Sequence, residues 1–539
     1  MRPYAVRRCA LPLGVGLLVA LFAACEYQYI PDFLGGGGGG GAAPPSGAPG
    51  AFAAPTAFTE NLVQARTFVE GRAVTTLTYL VNDLGSASDI LDADVLFRRP
   101  FGIDFNGDGK IDPVVAYGKT QAVIQILLSD PASPPGQVRF TSLTLDSMRD
   151  MEKLADVAVG DIDRDGALDI VAAAEGAVWY FHHPTGQPVT ALHLWGNQDP
   201  NDELRERIDA SYSMLSAAEL QAIITQALGP GLNLDDYIVT IEQVYPNVEI
   251  GDLDNDGDND VVASHSFVLT LTPKPGIPVP AIQIVDGDVF VFVNPGFADN
   301  GRNWSAISIG RHERQTRLDR DGASGLLLYD LDNDGDLDVI SAARKDNNVQ
   351  VAWFENPVRR RPGTSDPGLA VDTIWYQWRI GSIRDARGLD IADLTGDGRP
   401  DVVVTGGEQL QMILFEQPST GPRRAWDWDA HVLATFESFE PRDVKALDLD
   451  NDGVLELVTG GTEGAVRYYE RDSDPRQPWQ PLVVVTYDPP GTVGLLGYGD
   501  LDGDGDFDLV AVVAGDEEND SRITWIRNET IAGGLPGAP

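Results

Sequence analysis

Asp330-Leu331-Asp332-Asn333-Asp334-Gly335-Asp336-Leu337-Asp338-Val339-Ile340 is an acidic loop that runs straight into a β-branched apolar strand. Its pattern, D-x-D-x-D-G-x-x-D, sets carboxylates at loop positions 1, 3, 5 and 9 and glycine at position 6. A hard cation such as calcium takes about six to eight oxygens, and a loop of this kind wraps alternate side chains around one centre. Glycine permits the sharp turn, and the carbonyl at position 7 can add a ligand. Asp336 holds position 7, so its side chain is expected to face solvent.

The loop recurs. Loop 1 carries Asp104, Asn106, Asp108, Gly109 and Asp112; loop 2 carries Asp161, Asp163, Asp165, Gly166 and Asp169. Loop 3 carries Asp252, Asp254, Asp256, Gly257 and Asp260, and loop 4 is the stretch quoted above, with Asp330, Asp332, Asp334 and Asp338. Loop 5 carries Asp393, Thr395, Asp397, Gly398 and Asp401. Loop 6 carries Asp448, Asp450, Asp452, Gly453 and Glu456, and loop 7 carries Asp500, Asp502, Asp504, Gly505 and Asp508. Seven copies, each with glycine at position 6 and each leading into a strand-like run, mark one structural unit repeated with insertions of varying size.

The formal charge of −43 argues against nucleic acid or an anionic membrane surface as a partner. Much of it is local, because the loops concentrate aspartate at fixed spacing, and cations account for that better than a solvated acidic surface does. The only cysteines are Cys9 and Cys25, so the body has no disulfide, and metal loops can take over that stabilising role.

Residues 1–24 read as a lipoprotein signal peptide: Arg2, Arg7 and Arg8, then an apolar run from Leu11 to Ala24. Leu21-Phe22-Ala23-Ala24-Cys25 resembles a bacterial lipobox, which implies lipidation of Cys25, and Glu26 after it suggests the outer membrane, facing either the periplasm or the cell surface. Residues 25–60, with the glycine run Gly35 to Gly41, read as a flexible tether, and residues 61–530 as the folded body.

Within the body, each loop is followed by a short apolar strand, a turn and a strand often rich in aromatics. Val349-Gln350-Val351-Ala352-Trp353-Phe354-Glu355-Asn356, Val289 to Asn294 and Gln411 to Glu416 are examples of the latter. A further strand comes next, as in Trp304 to Ile309, His431 to Thr435 and Leu482 to Thr486. Four short strands per unit indicate radially arranged sheets.

Loops followed by Asp-Val-Val, Asp-Ile-Val or Asp-Leu-Val, with Trp-Phe-Glu-Asn in the third strand, resemble the FG-GAP/VCBS repeat family, which includes the calcium-binding blades of integrin α-subunit propellers. The resemblance spans residues 73–528. It implies an all-β, seven-bladed β-propeller whose acidic loops join the first and second strands of each blade and bind calcium. The segment Val74 to Val81 would then be the outermost strand of the last blade, closing the ring. Asn106 and Thr395 replace carboxylates, so loops 1 and 5 should hold calcium more weakly, and Glu456 lengthens position 9 of loop 6.

Between about 199 and 236 a small helical insertion is expected. Leu204, Ile208 and Leu215 fall near one helical face, and Ser216-Ala217-Ala218-Glu219 fits a capping box ahead of Leu220, Ile223 and Ile224. An EF-hand is excluded, because position 12 of loop 2 is Ala172 in a strand-like run rather than a bidentate glutamate. The six histidines show no H-E-x-x-H spacing, and His182-His183-Pro184 reads as a strand-end turn. No G-x-S-x-G elbow or phosphate loop appears, and the expectation is a non-enzyme.

Arg98, Arg99, Arg149, Arg320, Arg384, Arg387 and Arg442 enter the first strands, on the face that the resemblance sets opposite the acidic loops. They could form a basic rosette for an acidic glycan, but local pairing with neighbouring aspartates is the simpler reading. The functional expectation is a surface-tethered, calcium-binding module for adhesion to a glycan or protein ligand. It meets the membrane only through its lipid, and nucleic acid is not a partner. The alternatives are a polysaccharide-acting enzyme on a propeller scaffold and a structural component of an envelope assembly.

Overall fold

A turn full of carboxylates followed by Val, Ile and Leu sends the chain from solvent directly into a strand buried on both faces. Every residue of Asp338–Ala343 and of Asp401–Gly406 is buried, so these runs are continuous rather than alternating in hydrophobicity. The computed structural model describes residues 4–5, 61–69, 72–86, 94–96, 104–106, 111–117, 123–130, 132, 140–144, 154–174, 176–183, 205–208, 236–296, 304–315, 323–343, 351–358, 375–423, 426–450, 452–487, 491–501, 507–514 and 522–528.

The architecture is an all-β β-propeller. Strand pairing among the described residues gives seven antiparallel sheets, numbered here by the acidic loop each contains. Sheet 4 shows the unit: Ala323–Tyr329, Asp338–Ala343, Val351–Glu355 and Tyr376–Gly381 pair in sequence order, and the two-residue strand Tyr4–Ala5 lies on the outer edge. In every sheet the acidic loop joins the first strand to the second. Those pairs are Asp94–Leu96 with Val114–Tyr117, Asp156–Gly160 with Asp169–Ala174, and Val248–Gly251 with Asp260–Pro273. In sheets 5 to 7 they are Ala386–Ala392 with Asp401–Gly406, Lys445–Leu447 with Glu456–Gly460, and Thr492–Gly499 with Asp508–Ala514.

Successive sheets pack face to face, and six described cores fill the spaces between them, from sheets 1 and 2 round to sheets 6 and 7. A tryptophan recurs just ahead of the fourth strand, as Trp304, Trp375, Trp428 and Trp479, each 1–3% exposed. A side chain of this size buries roughly 150–250 Å², so each one anchors an inter-sheet core. Near the axis, buried aspartates stitch first strands together. Asp156 Oδ2 accepts Val248 N–H at 3.0 Å, and Asp390 Oδ2 accepts Ala446 N–H at 2.8 Å. Asp443 Oδ2 accepts Leu496 N–H at 3.0 Å.

Seven blades were expected, but a described core fills only six inter-sheet spaces; none is described between sheets 7 and 1. Arg72–Ser86 pairs with Arg522–Asn528 in sheet 7 as expected of a closing strand, yet Asn61–Val69 lies one strand further out. The helical insertion largely falls outside the described residues, and the few described there contain no α-helix. Arg205–Arg207 is an edge strand on Ala177–Phe181, and Ile208 is buried in the core between sheets 2 and 3. Edge pairing satisfies those backbone groups, which the apolar spacing of Leu204 and Ile208 could not foretell. Among the described residues no helix is long and apolar enough to cross a membrane.

Candidate metal centres

Each loop is built by its own carboxylates gripping its own backbone. The position-1 aspartate accepts N–H groups from the turn: Asp330 from Asp334 and Gly335, each at 3.0 Å, and Asp448 from Asp452 at 3.1 Å and Gly453 at 2.9 Å. Position 6 is left-handed, with φ of 88° at Gly166, 95° at Gly257, 100° at Gly335, 85° at Gly398 and 85° at Gly453, which explains the recurring glycine.

Position 9 has a second task that its sequence reading as a ligand did not contain. Asp338 Oδ2 accepts Leu331 N–H at 3.1 Å, and Oδ1 accepts Asn356 N–H at 2.8 Å, just after the third strand. Asp169 does the same with Ile162 and His183, Asp260 with Leu253 and Asn294, and Asp508 with Leu501 and Asn528. Asp112 clamps Phe105 and Ser129, and Asp401 clamps Thr395 and Gln417. Glu456 clamps only Leu449, at 2.8 Å, and its buried Oε1 has no hydrogen-bond partner. These carboxyls are 0–1% exposed. Burial pushes Asp112 and Asp169 up to about 7, Asp338 to about 8 and Glu456 to about 9, and holds Asp260 well above the usual carboxylate range.

The structure brings together most of the predicted ligands it describes. One oxygen from each of Asp448, Asp450, Asp452 and Glu456 lies within 4.8 Å of the others. The same holds for Asp161, Asp163 and Asp169, for Asp252, Asp254 and Asp260, and for Asp330, Asp332 and Asp338. Asp256 and Asp334 stand outside these groups, engaged by arginine: Arg164 Nη2 lies 3.1 Å from Asp256 Oδ1, and Arg423 Nη2 lies 3.9 Å from Asp334 Oδ2. Loop 5 forms no such group; the oxygens of Asp393 take N–H bonds from Gly396, Asp397 and Gly398, and Arg399 pairs with Asp397. In loop 1, Asp104 and Asn106 are described while Asp108 lies outside the described residues, as do Asp502 and Asp504 of loop 7, whose Asp500 is buried.

The donor set fits a cation. Buried oxygens of Asp161, Asp252, Asp332 and Glu456 have no hydrogen-bond partner, and an all-carboxylate cage of this kind is costly without a positive charge. In loop 4 the guanidinium of Arg423 contacts Asp332 and donates to Glu355 Oε1 at 2.5 and 2.9 Å.

Asp336 does not face solvent as expected. It is 2% exposed with both oxygens unpartnered, and burial with the neighbouring carboxyls pushes it up to about 9. Asp258, at the same position of loop 3, is likewise buried at 7% and pushed up to about 7.

Sequence reading also missed the residues that join loops to neighbouring sheets. Asn294 Nδ2 donates to Ile162 O of loop 2 at 2.9 Å, and Asn356 Nδ2 donates to Leu253 O of loop 3 at 2.8 Å. Gln417 Nε2 reaches Leu331 O at 2.9 Å, Arg471 Nη1 reaches Leu394 O at 3.3 Å, and Asn528 Nδ2 reaches Leu449 O at 2.8 Å. The repeated Asn-Pro at the third-strand end was the available signal. His182, set aside as a turn residue, comes to loop 2 with Nε2 2.6 Å from Asp163 Oδ2.

Of the arginines expected to form a rosette, Arg387 pairs with Asp385 at 2.7 Å and Arg442 with Glu440 at 3.0 Å. The backbone N–H of Arg384 bonds Gln409, while Arg98, Arg99, Arg149 and Arg320 lie outside the described residues.

No curated protein matches this sequence. Among solved structures the chain is similar to one described as the Dos1 propeller, at 10% identity and a TM-score of 0.38, covering 89% of this chain and 95% of that one. It is also similar to YCF48 from Cyanidioschyzon merolae, at 11% identity and a TM-score of 0.29, covering 70% and 95%. Superpositions this loose carry no further argument. The model of the FG-GAP-like repeat matches residues 104–172, 330–404 and 448–511, each containing one acidic loop and its following strands. The chain carries FG-GAP-like repeats in these three regions of its β-propeller.

Proposed function

We propose that this protein is a calcium-stabilised, seven-bladed propeller that acts as a non-catalytic binding module, tethered to the outer membrane through a lipid on Cys25. The convergence of Asp448, Asp450, Asp452 and Glu456 carries the calcium part of this reading. Oxygen donors alone, charge-rich and partly orphaned, suit a hard cation over a soft one. The seven-blade count rests on the backbone: Asp94–Leu96 lies beside Thr492–Gly499, as the first strands of other consecutive sheets lie beside one another. A disulfide formed between Cys replacements of the paired Ser86 and Arg522 would support the closing strand, and its failure to form under oxidation would count against it.

A rigid ring with loops on one face offers a broad surface for a glycan or a protein. The Arg387 and Arg442 pairings leave less free positive charge for an acidic glycan than the rosette idea requires. The deciding experiment presents the full chain to a glycan panel and to envelope extracts, in calcium and in chelator. Calcium-dependent retention of a defined ligand supports the module; folded protein that retains nothing in either condition sinks it. Acylation is read separately, from the mass of the mature N-terminus and its loss in Cys25→Ser.

A further inference from the structure

Sheet 3 departs from its neighbours on the face opposite the acidic loops. Its second strand, Asp260–Pro273, has 14 residues, where those of sheets 2 and 4 have 6. Only the start of this strand pairs with the first strand of the sheet; Ser266 to Pro273 pair with Tyr237–Val244, and Ile282–Val293 returns alongside. The excess length carries the hairpin roughly 25 Å past the adjacent second strands. The turn at its end is Lys274-Pro275-Gly276-Ile277-Pro278-Val279-Pro280-Ala281, exposed at every residue but Val279. Ile277 is 37% exposed, and Ile238, paired with Thr272 at the base of the turn, is 50% exposed. A Cβ added to Gly276 meets nothing within 4 Å. In a chain of formal charge −43, no acidic residue falls between Asp260 and Asp286, and Lys274 is the one formal charge there. The corresponding turns of sheets 5 and 6 instead expose Glu408 and Glu463.

A second observation concerns the backbone. Pro275, Pro278 and Pro280 have no N–H. Lys274 N–H donates to Asp236 O at 2.8 Å, Ile277 N–H to Lys274 O at 3.1 Å and Val279 N–H to Ile277 O at 3.0 Å. Gly276 follows Pro275 at a φ of 86°, the arrangement of a type II turn. From Pro275 to Ala281, the donors still to be placed are those of Gly276 and Ala281. A partner protein brings acceptors of its own, so a protein cleft sets no such condition on the turn. Hydrocarbon brings none, and an unpaired N–H is costly there.

We propose that this turn is a membrane-contacting tip: Pro275 to Ala281 enters the interfacial region of a bilayer, with Lys274 and Asp236 at the level of the head groups. It gives the protein a second contact with the membrane besides the lipid. The contact rests on the tethered reading above, because an apolar patch this small binds a bilayer weakly alone and gains from being held beside it. Residues 26–60 reach at most ~120 Å when extended, enough for the face opposite the acidic loops to turn toward the lipid. The projecting hairpin then keeps the carboxylates of the loops several times the Debye length of about 8 Å from the bilayer.

The test couples Cys25 of the full-length Cys9→Ser chain to a maleimide phospholipid in phosphatidylcholine vesicles. The chain is thereby tethered whether or not cells acylate that residue. A dansyl amino acid replaces Ile277, or Glu408 on the same face, and emission is compared with and without doxyl-labelled lipid. The expected result is a blue shift and quenching by the doxyl lipid at 277, and neither at 408. Val279→Asp should abolish both at 277; where it also lowers the melting temperature, Pro280→Glu, at an exposed position, decides. An unquenched 277 in folded, tethered chain, which is what a protein cleft requires, would overturn the tip. Equal quenching at 277 and 408, or quenching that persists in the charged variants, would overturn it too. Failure of the tether reading shows separately, as a mature N-terminus whose mass lacks acyl chains.

Discussion

At the scale of single residues, the position-9 carboxylate decides whether a loop can form. Asp260 ties Leu253 N–H at 3.0 Å to Asn294 N–H at 2.8 Å, both far from water. Asp260→Ala leaves two buried donors unpaired and should cost about 3 kcal/mol, measured by denaturant unfolding in saturating calcium. Asp260→Asn keeps one acceptor and should cost less. Gly335 tests the turn: a Cβ there meets nothing within 4 Å, so Gly335→Ala isolates the penalty of its φ of 100°. Chemical denaturation should report a loss of about 1–2 kcal/mol. The clamps also set a pH dependence. Asp112 and Asp169 are raised to about 7 and Asp338 to about 8, so in metal-free protein they favour the protonated, folded form. That contribution is complete below the ordinary carboxylate range and is lost as pH rises through 7 and 8. Metal-free protein should therefore melt at a lower temperature at pH 8 than at pH 5.5, and added calcium should remove or reverse the difference. Equal melting temperatures in chelator would refute this assignment.

At the scale of elements, the sequence was legible wherever chemistry repeats at a fixed interval. Positions 1, 3, 5, 6 and 9 announced themselves because loop geometry demands those residue types there, and the apolar runs after them announced strands buried on both faces. Asp336 was misread because nothing local tells a position-7 side chain which way to turn; the packing of neighbouring elements puts it inside. Asn356 went unassigned because its partner, Leu253 O, lies in the loop of another sheet. His182 was dismissed because its neighbours in sequence suggest a turn, while its neighbours in space are Asp163 and Asp165. The cross-sheet amides carry their own prediction. Asn356→Ala removes bonds to Leu253 O and Leu337 O, leaving buried carbonyls unpaired. It should cost about 1–3 kcal/mol, with faster hydrogen exchange at loop 3 as well as loop 4. Protection lost at loop 4 alone would mean the amide does not join the sheets.

At the scale of the whole molecule, stability is shared between apolar cores and charged loops. The six described cores hold neighbouring sheets face to face whatever the solvent contains, whereas the loops, on the calcium reading proposed above, add a term that depends on cations. Chelator should therefore lower the melting temperature without abolishing cooperative unfolding, and Asp450→Ala should reduce the calcium effect without removing it, because other loops remain. Complete unfolding in chelator at room temperature would show the cores to be insufficient alone.

The cross-sheet bonds from Asn294, Asn356, Gln417, Arg471 and Asn528 all run in one rotational sense, each from a sheet back to the loop before it. Each joint needs one side chain from the later unit and only a main-chain carbonyl from the earlier one. A duplicated unit thus carries its own half of the seam and finds the other half in any predecessor, whatever that predecessor's side chains are. Such a joint is portable: copies can be added, lost or allowed to diverge between seams without a matching change next door. Loops as unlike as those around His182 and Glu456 can then coexist in one ring.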